Sequence, residues 1–180
     1  CDLNGTIDPC ELDPVTDCDG DGVLDECEIS DDGSLDQNNN GVLDSCECLS
    51  QNYCTALPNS SGLTASIGWT GTLFVDNNFF GLTVADAAPQ QFGLFFYGPN
   101  QVNLSFGDGI RCVGGGLTRL NPAIFADSAG DAQRDLDFTA PPLSTLNPGD
   151  TFNVQCWNRD PAAMQSGFNL SDALTVPICP

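Results

Sequence analysis

The sequence predicts a mainly β protein, an antiparallel β-sandwich of Ig-like or jelly-roll-like type, preceded by an irregular, disulfide-linked N-terminal arm. Three observations carry that expectation. Beyond about position 50 the chain breaks into short period-2, β-branched or aromatic runs separated by Gly, Pro and Asn clusters. Ahead of them, residues 1–48 hold 15 of the 25 carboxylates with no Lys or Arg among them. The ten cysteines show none of the Cys and His spacing of a zinc site, and the chain has no histidine, so they read as oxidised pairs in an extracytoplasmic compartment. At 180 residues the chain can bury the core of one sandwich and still carry a small module. The expected domains are tandem repeats over 1–48 and a β-sandwich over 49–180.

An acidic block without counter-charge ordinarily reads as a solvated, disordered tail. Here it carries six cysteines, and its acids are periodic. The segment from Asp17 to Glu28 recurs from Asp36 to Glu47, shifted by 19, and recurs in the other direction from Cys1 to Glu11, shifted by 17 and lacking its first position.

The repeat has the spacing of a calcium loop. Calcium takes roughly six to eight oxygen ligands, supplied in a twelve-residue loop from positions 1, 3, 5, 7, 9 and 12, with glycine at the turn in position 6. In the second copy these are Asp17, Asp19, Asp21, the Val23 carbonyl, Asp25 and Glu28, with Gly22 at the turn. In the third they are Asp36, Asn38, Asn40, the Val42 carbonyl, Asp44 and Glu47, with Gly41 at the turn. The first copy offers Asp2, Asn4, the Thr6 carbonyl, Asp8 and Glu11, but no donor at position 1. Water or a neighbouring molecule would fill that position, and in the second case calcium would also be an assembly bond. The apolar residue at position 8 (Ile7, Leu24, Leu43) is the one side chain free to point into a small core. Without metal the carboxylates repel one another, so folding of the arm is expected to couple to Ca2+, each site adding about 1.4 kcal/mol at tenfold excess over its dissociation constant.

In the remainder, strands are expected at Leu63 to Trp69, Thr72 to Val75, Phe80 to Ala85, Phe92 to Tyr97, Val102 to Phe106, Arg111 to Val113, Leu136 to Thr139, Phe152 to Trp157 and Ala173 to Ile178. Turn signals at Gly98-Pro99-Asn100, Gly107-Asp108-Gly109 and Asn147-Pro148-Gly149-Asp150 separate them, and helix should be scarce.

Each loop ends in Asp-x-Cys followed by an acid: Asp8-Pro9-Cys10-Glu11, Asp25-Glu26-Cys27-Glu28 and Asp44-Ser45-Cys46-Glu47. In this the arm resembles thrombospondin type 3 repeats and their bacterial relatives. Dockerins share the loop chemistry but need a helix of about ten residues after each loop, for which a spacer such as Glu28 to Gly33 reads as too short and too turn-rich. From about Asn52 onward, Asn52-Tyr53-Cys54, Gln91-Phe92-Gly93, Arg111-Cys112-Val113-Gly114-Gly115, Trp157-Asn158-Arg159-Asp160 and Phe168-Asn169-Leu170-Ser171-Asp172 resemble a β-rich C-terminal module of large secreted bacterial proteins. That resemblance implies an extracellular location and a Cys54–Cys112 bond, leaving Cys156 and Cys179 to join the last two strands. The six arm cysteines (Cys1, Cys10, Cys18, Cys27, Cys46, Cys48) allow fifteen pairings, which stay open.

Few catalytic schemes remain. Without histidine there is no Ser-His-Asp or Cys-His arrangement, and without lysine no Schiff base. Gly114-Gly115-Gly116 lacks a following Gly-Lys-Ser and reads as a turn. Asp108, Asp127 and Asp150 read as solvated turn-formers rather than a glycosidase pair. No enzyme is expected. Trp69, Trp157, Tyr53 and Tyr97 form either a glycan-stacking platform or core, Arg159 and Asp160 a ligand clamp or a structural ion pair, and the sequons at Asn4, Asn59, Asn103 and Asn169 imply surface positions. A net charge of -21 disfavours nucleic acid and anionic membrane surfaces. No run of about 18 apolar residues inserts into a bilayer, and the polar start at Cys1 reads as a processed N-terminus.

The expected protein is therefore secreted or on the cell surface, binds calcium, is structural or adhesive, and self-associates into a homo-oligomer, filament or surface layer. The rivals are a carbohydrate-binding module and a plain spacer. Because the second loop has five side-chain carboxylates and the third replaces two with Asn38 and Asn40, the Asp17 loop is expected to bind calcium more tightly. Calorimetric titration of Glu47→Gln, which spares the Asp17 loop, should retain the tighter site, and Glu28→Gln the weaker one. The reverse order would overturn the ranking.

Overall fold

The computed structural model describes residues 16–18, 21–36, 39, 41–43, 46–47, 49–74, 78–163 and 166–179. The chain divides into two compact units, Cys1–Leu49 and Ser50–Pro180.

Within the first unit, helix α1 (Asp25–Asp31) is followed by a single 3-10 turn, Gly33–Leu35. Of the Glu28 to Gly33 spacer, read as too short and too turn-rich for a helix of about ten residues, only 28–31 belong to this seven-residue helix. The helix starts inside the loop, at position 9, so counting from Glu28 misses its first turn. Asp25, Glu26 and Glu28 fill that turn, where carboxylates oppose the positive end of the helix dipole. Asp32 ends α1 by donating its N–H to Glu28 O and then caps the next turn, its carboxylate accepting from Ser34 N at 3.0 Å and Ser34 Oγ at 2.7 Å. These bonds hold the Asp32 carboxyl below the usual carboxylate range.

The second unit is an antiparallel β-sandwich with an added hairpin. Its strands are β1 (Gln51–Tyr53), β2 (Ser66–Gly71), β3 (Phe80–Ala85), β4 (Phe92–Gly98), β5 (Asn100–Phe106), β6 (Gly109–Gly114), β7 (Thr118–Phe125), β8 (Ala132–Leu136), β9 (Thr151–Arg159) and β10 (Phe168–Pro177). A five-stranded sheet has the order β1-β10-β9-β4-β7, a three-stranded sheet β2-β3-β8, and β5 pairs with β6 alone. Two of these strands were not expected. In β7, Pro122 interrupts the apolar pattern, but the strand lies at a sheet edge, where a missing N–H breaks no ladder bond. β1 is a three-residue edge strand. The strand expected at Leu136 to Thr139 lies earlier, as β8, which reads as polar because it too is an edge. Of Thr72 to Val75, Phe74 makes an isolated parallel bridge to Cys179.

The sandwich core lies between the two larger sheets. Phe95, Leu120, Phe152, Val154, Leu174 and Val176 from one, and Ile67, Phe80, Leu82, Val84 and Leu136 from the other, are all at most 5 % exposed. A junction between the sheets uses Asn52 and Asp172: the Asp172 carboxylate accepts from Ile67 N at 2.7 Å and from Asn52 Nδ2 at 2.9 Å, and Asn52 Nδ2 also donates to Ile67 O at 2.7 Å. Burial still raises the Asp172 carboxyl above its ordinary value.

The opposite face of the five-stranded sheet is covered by the β5–β6 hairpin. Its docking is polar. Gln155 in β9, fully buried, donates through Nε2 to Ile110 O at 2.8 Å and Ser171 O at 2.7 Å and accepts from Cys112 N at 2.9 Å. Asn153, two residues earlier, donates to Pro99 O at 3.2 Å. Around this pair pack Phe96, Cys112, Val113, Leu170 and Ala173. The Cys54–Cys112 disulfide is present, with its Cα atoms 6.2 Å apart, and beside it Tyr53 Oη donates to Cys112 O at 3.1 Å.

The Cys156–Cys179 bond does not form. Cys156 is a buried free thiol and Cys179 is disulfide-bonded elsewhere. The β9–β10 register explains this: Val176 faces Phe152 and Pro177 faces Thr151, so Cys179 lies beyond the far end of β9 from Cys156. At 3.3 Å per residue the two are about 20 Å apart, whereas a disulfide needs Cα atoms within about 7 Å. The sequon reading also fails at Asn59 and Asn169, which are 7 % and 1 % exposed. Asn59 Nδ2 donates to Asp86 O, joining two loops, and Asn169 Nδ2 to Leu57 O and Pro58 O, tying a loop to β10.

Two outcomes follow. Gln155→Leu strands two buried backbone groups and a third that is partly buried, at about 1–3 kcal/mol for each buried one, so urea unfolding should show a loss of about 3 kcal/mol or more; a loss near zero would refute the docking role. Burial pushes the Cys156 thiol up to about 12, so at pH 8 iodoacetamide should leave Cys156 unlabelled in the folded chain and label it in denaturant, as read by mass spectrometry.

Candidate metal centre

The second acidic loop folds around its first carboxylate. Asp17 accepts from Asp21 N at 3.1 Å and, through its other oxygen, from Gly22 N at 3.2 Å. Asp21 Oδ1 accepts from Val23 N at 2.8 Å, and Asp25 Oδ1 from Cys18 N at 3.0 Å. Asp25 N in turn donates to Thr16 O at 2.9 Å, which closes the loop where α1 begins. Asp19 lies outside the described residues.

The third loop repeats these bonds wherever it is described. Gly41 N donates to Asp36 Oδ2 at 2.8 Å, the counterpart of Gly22 N to Asp17. Cys46 N and Glu47 N both donate to Leu43 O, as Cys27 N and Glu28 N do to Leu24 O. Gly22 and Gly41 have φ of +93° and +85°, a conformation that a Cβ disfavours. Leu24 and Leu43, at position 8, are 4 % and 2 % exposed, while Val23 and Val42, at position 7, face solvent. Asn38, Asn40 and Asp44 lie outside the described residues, as do Asp2, Asn4, Thr6, Asp8 and Glu11 of the first copy.

A disulfide joins the two loops. Cys18, at position 2 of one, is bonded to Cys46, at position 11 of the other, with Cα atoms 5.9 Å apart; Cys27 is disulfide-bonded as well. The sulfurs of Cys18 and Cys46 and a carboxylate oxygen of Asp25 lie within 4.8 Å of one another, but the two sulfurs are spent on each other. What remains available is hard: carboxylate and carbonyl oxygens, with no thiolate or imidazole. Each carboxylate oxygen that accepts one N–H keeps a further lone pair. By donor type Asp17, Asp21, Asp25 and Glu28, with the Val23 carbonyl, and Asp36 and Glu47, with the Val42 carbonyl, suit a hard divalent cation of the calcium type, although among the described residues no three of these carboxylates lie within 4.8 Å of one another.

In the β unit the aromatic residues do not assemble into one platform. Trp69 stacks on Phe80, with centroids 5.9 Å apart, in the three-stranded sheet. Tyr97 packs edge-on against Phe152 on the core face and donates to Pro142 O, Tyr53 supports the hairpin, and Trp157 lies on the hairpin face of β9. Asp160 is bound by Ser60 N and Ser60 Oγ. Asp127 accepts from Asp131 N, Ala129 N and Gly130 N, which together hold its carboxyl below the usual range. Asp150 accepts from Asn147 N, and Asp108 from Ser166 N and Gly167 N, so all three are engaged in turns. β6 ends at Gly114, and Gly115 and Gly116 form a bend.

Fold and site together define a disulfide-bonded β-sandwich preceded by paired acidic loops. No family model, curated protein or solved structure matches the chain.

Proposed function

We propose that this protein is a calcium-binding structural or adhesive component of the cell exterior, of the kind that thrombospondin type 3-like repeats build, and that it catalyses no reaction. The observation that carries the reading is the matched pair of turns in which the position-1 aspartate accepts the N–H of a left-handed glycine five residues on: Asp17 with Gly22 and Asp36 with Gly41. A twelve-residue calcium loop takes its first carboxylate and its turning glycine from these two positions, 1 and 6. Disulfides in both units favour an oxidising compartment, and no helix among the described residues is long and apolar enough to cross a membrane.

In this reading Asp17, Asp19, Asp21, Asp25 and Glu28 hold one ion, and Asp36, Asn38, Asn40, Asp44 and Glu47 a second. The ions offset the mutual repulsion of an arm that has no Lys or Arg. The Cys18–Cys46 bond limits how far the two loops separate when calcium is removed, worth roughly 2–4 kcal/mol. The first copy offers Asp2, Asn4, the Thr6 carbonyl, Asp8 and Glu11 to a further ion, and calcium shared between the acidic arms of two molecules also drives self-association.

Equilibrium dialysis should find at least two calcium ions per chain, with the Glu28→Gln/Glu47→Gln double variant losing both strong sites. Chelation should raise amide exchange in the arm and leave the β unit unchanged. Sedimentation should show larger species in calcium than in chelator. Absence of bound calcium at millimolar concentration refutes the whole reading, and a monomer in excess calcium refutes self-association.

A further inference from the structure

The chain has only four cations against 25 carboxylates, and two of them, Arg111 and Arg119, line one cavity of about 570 Å³. It opens between the β5–β6 hairpin and the sheet face that the hairpin covers. Its floor is a cross-strand row, Leu94 in β4 facing Trp157 in β9, which faces Leu170 in β10. Phe168 stands over this row, 5.7 Å from the Trp157 ring and 5.3 Å from Phe106 of the hairpin. The Arg111 guanidinium lies over the Phe106 ring, 5.6 Å from its centroid. Arg119 enters from β7, opposite Phe96.

Three features define what fits. The volume is that of a small-molecule site rather than a packing defect. Among the described residues no Asp or Glu lines it, and Arg111 Nε is buried without a hydrogen-bond partner, which is costly for a guanidinium unless an acceptor arrives. The side chains of the lining offer donors only, since arginine and tryptophan accept no hydrogen bond. A neutral sugar would bury hydroxyl donors with no side-chain acceptor to meet them. A polyanion would meet the field of a chain with net charge -21. A compact monoanion with an apolar body satisfies both arginines and stacks on the aromatic floor.

We propose that this cavity is a binding site for small organic monocarboxylates with an aromatic or apolar body. The carboxylate sits between Arg111 and Arg119, where a planar guanidinium can hold it through paired N–H bonds. The body lies on Trp157 beside Phe168. Arg111 is already oriented by Phe106, so little side-chain entropy is lost on binding. The site does not depend on the calcium arm.

The test uses the full chain in calcium buffer and 3-phenylpropionate as the probe, compared with 3-phenylpropionamide and glucuronate, which remove the charge and the apolar body in turn. Calorimetry on the wild-type chain should show saturable binding of the acid, about tenfold or more weaker binding of the amide, and none of glucuronate. In a Trp69→Phe chain, where Trp157 is the sole indole, the acid should change the tryptophan emission with the same midpoint. Arg111→Gln and Arg119→Gln should each weaken the acid by about tenfold and leave the amide unaffected. Failure of the acid to bind at about 10 mM, equal affinity for acid and amide, or unchanged affinity in both arginine variants overturns the site. Tighter binding of glucuronate overturns its apolar specificity.

Discussion

The buried amide of Gln155 is the contact on which the upper layer of the β unit depends. It sits in β9, between β10 and β4, and satisfies two carbonyls and one N–H that no ladder reaches. A buried amide is costly unless its donors and acceptor are met, and here all are. The hairpin is therefore held in one position rather than resting on a greasy surface. The consequences spread outward: Cys112 is brought to Cys54, Tyr53 is covered, and the gap left beside the hairpin becomes the cavity that holds Arg111 and Arg119.

The arm solves a different problem with few apolar residues. Leu24 and Leu43 are its buried aliphatic anchors among the described residues, and most of the order comes from carboxylates that accept backbone N–H groups. Such bonds fix the direction of each carboxylate against the backbone of its own loop. Helix α1, which follows the Leu24 carbonyl, begins inside the Asp17 repeat, so Glu28, at its position 12, is carried on a regular element. A disulfide from position 2 of one loop to position 11 of the next then makes the pair a single unit.

Much of this was legible along the chain. The duplicated spacing of aspartate, glycine and leucine identified the two loops, because a loop closed by its own backbone has its donors in sequence order. Strands with apolar alternation were legible too; β3 was expected at Phe80 to Ala85 and lies there. Edge strands were harder. β1, β7 and β8 bury little on one side, and β7 contains a proline that only its edge position excuses. The short helix was hidden because its first turn overlaps the ligands. The pairing of Cys156 with Cys179 looked natural on neighbouring strands and failed on register, which sequence does not display.

By itself the sequence determined the parts whose chemistry is local: the loop spacing, the strand runs, the turns at Gly107 and Asn147, and an acidic arm without cations. Only the tertiary structure decided which polar residues face inward. Alternation in Phe152-Asn153-Val154-Gln155-Cys156 reads as one face for the core and one for water, yet Asn153 and Gln155 are as buried as their neighbours. The same packing gathers Arg111 and Arg119, eight residues apart on different strands, into one cavity. The physical reason is that burial of a strand's second face depends on what the rest of the chain lays over it, and that information is carried in long-range contacts rather than in the period of the strand.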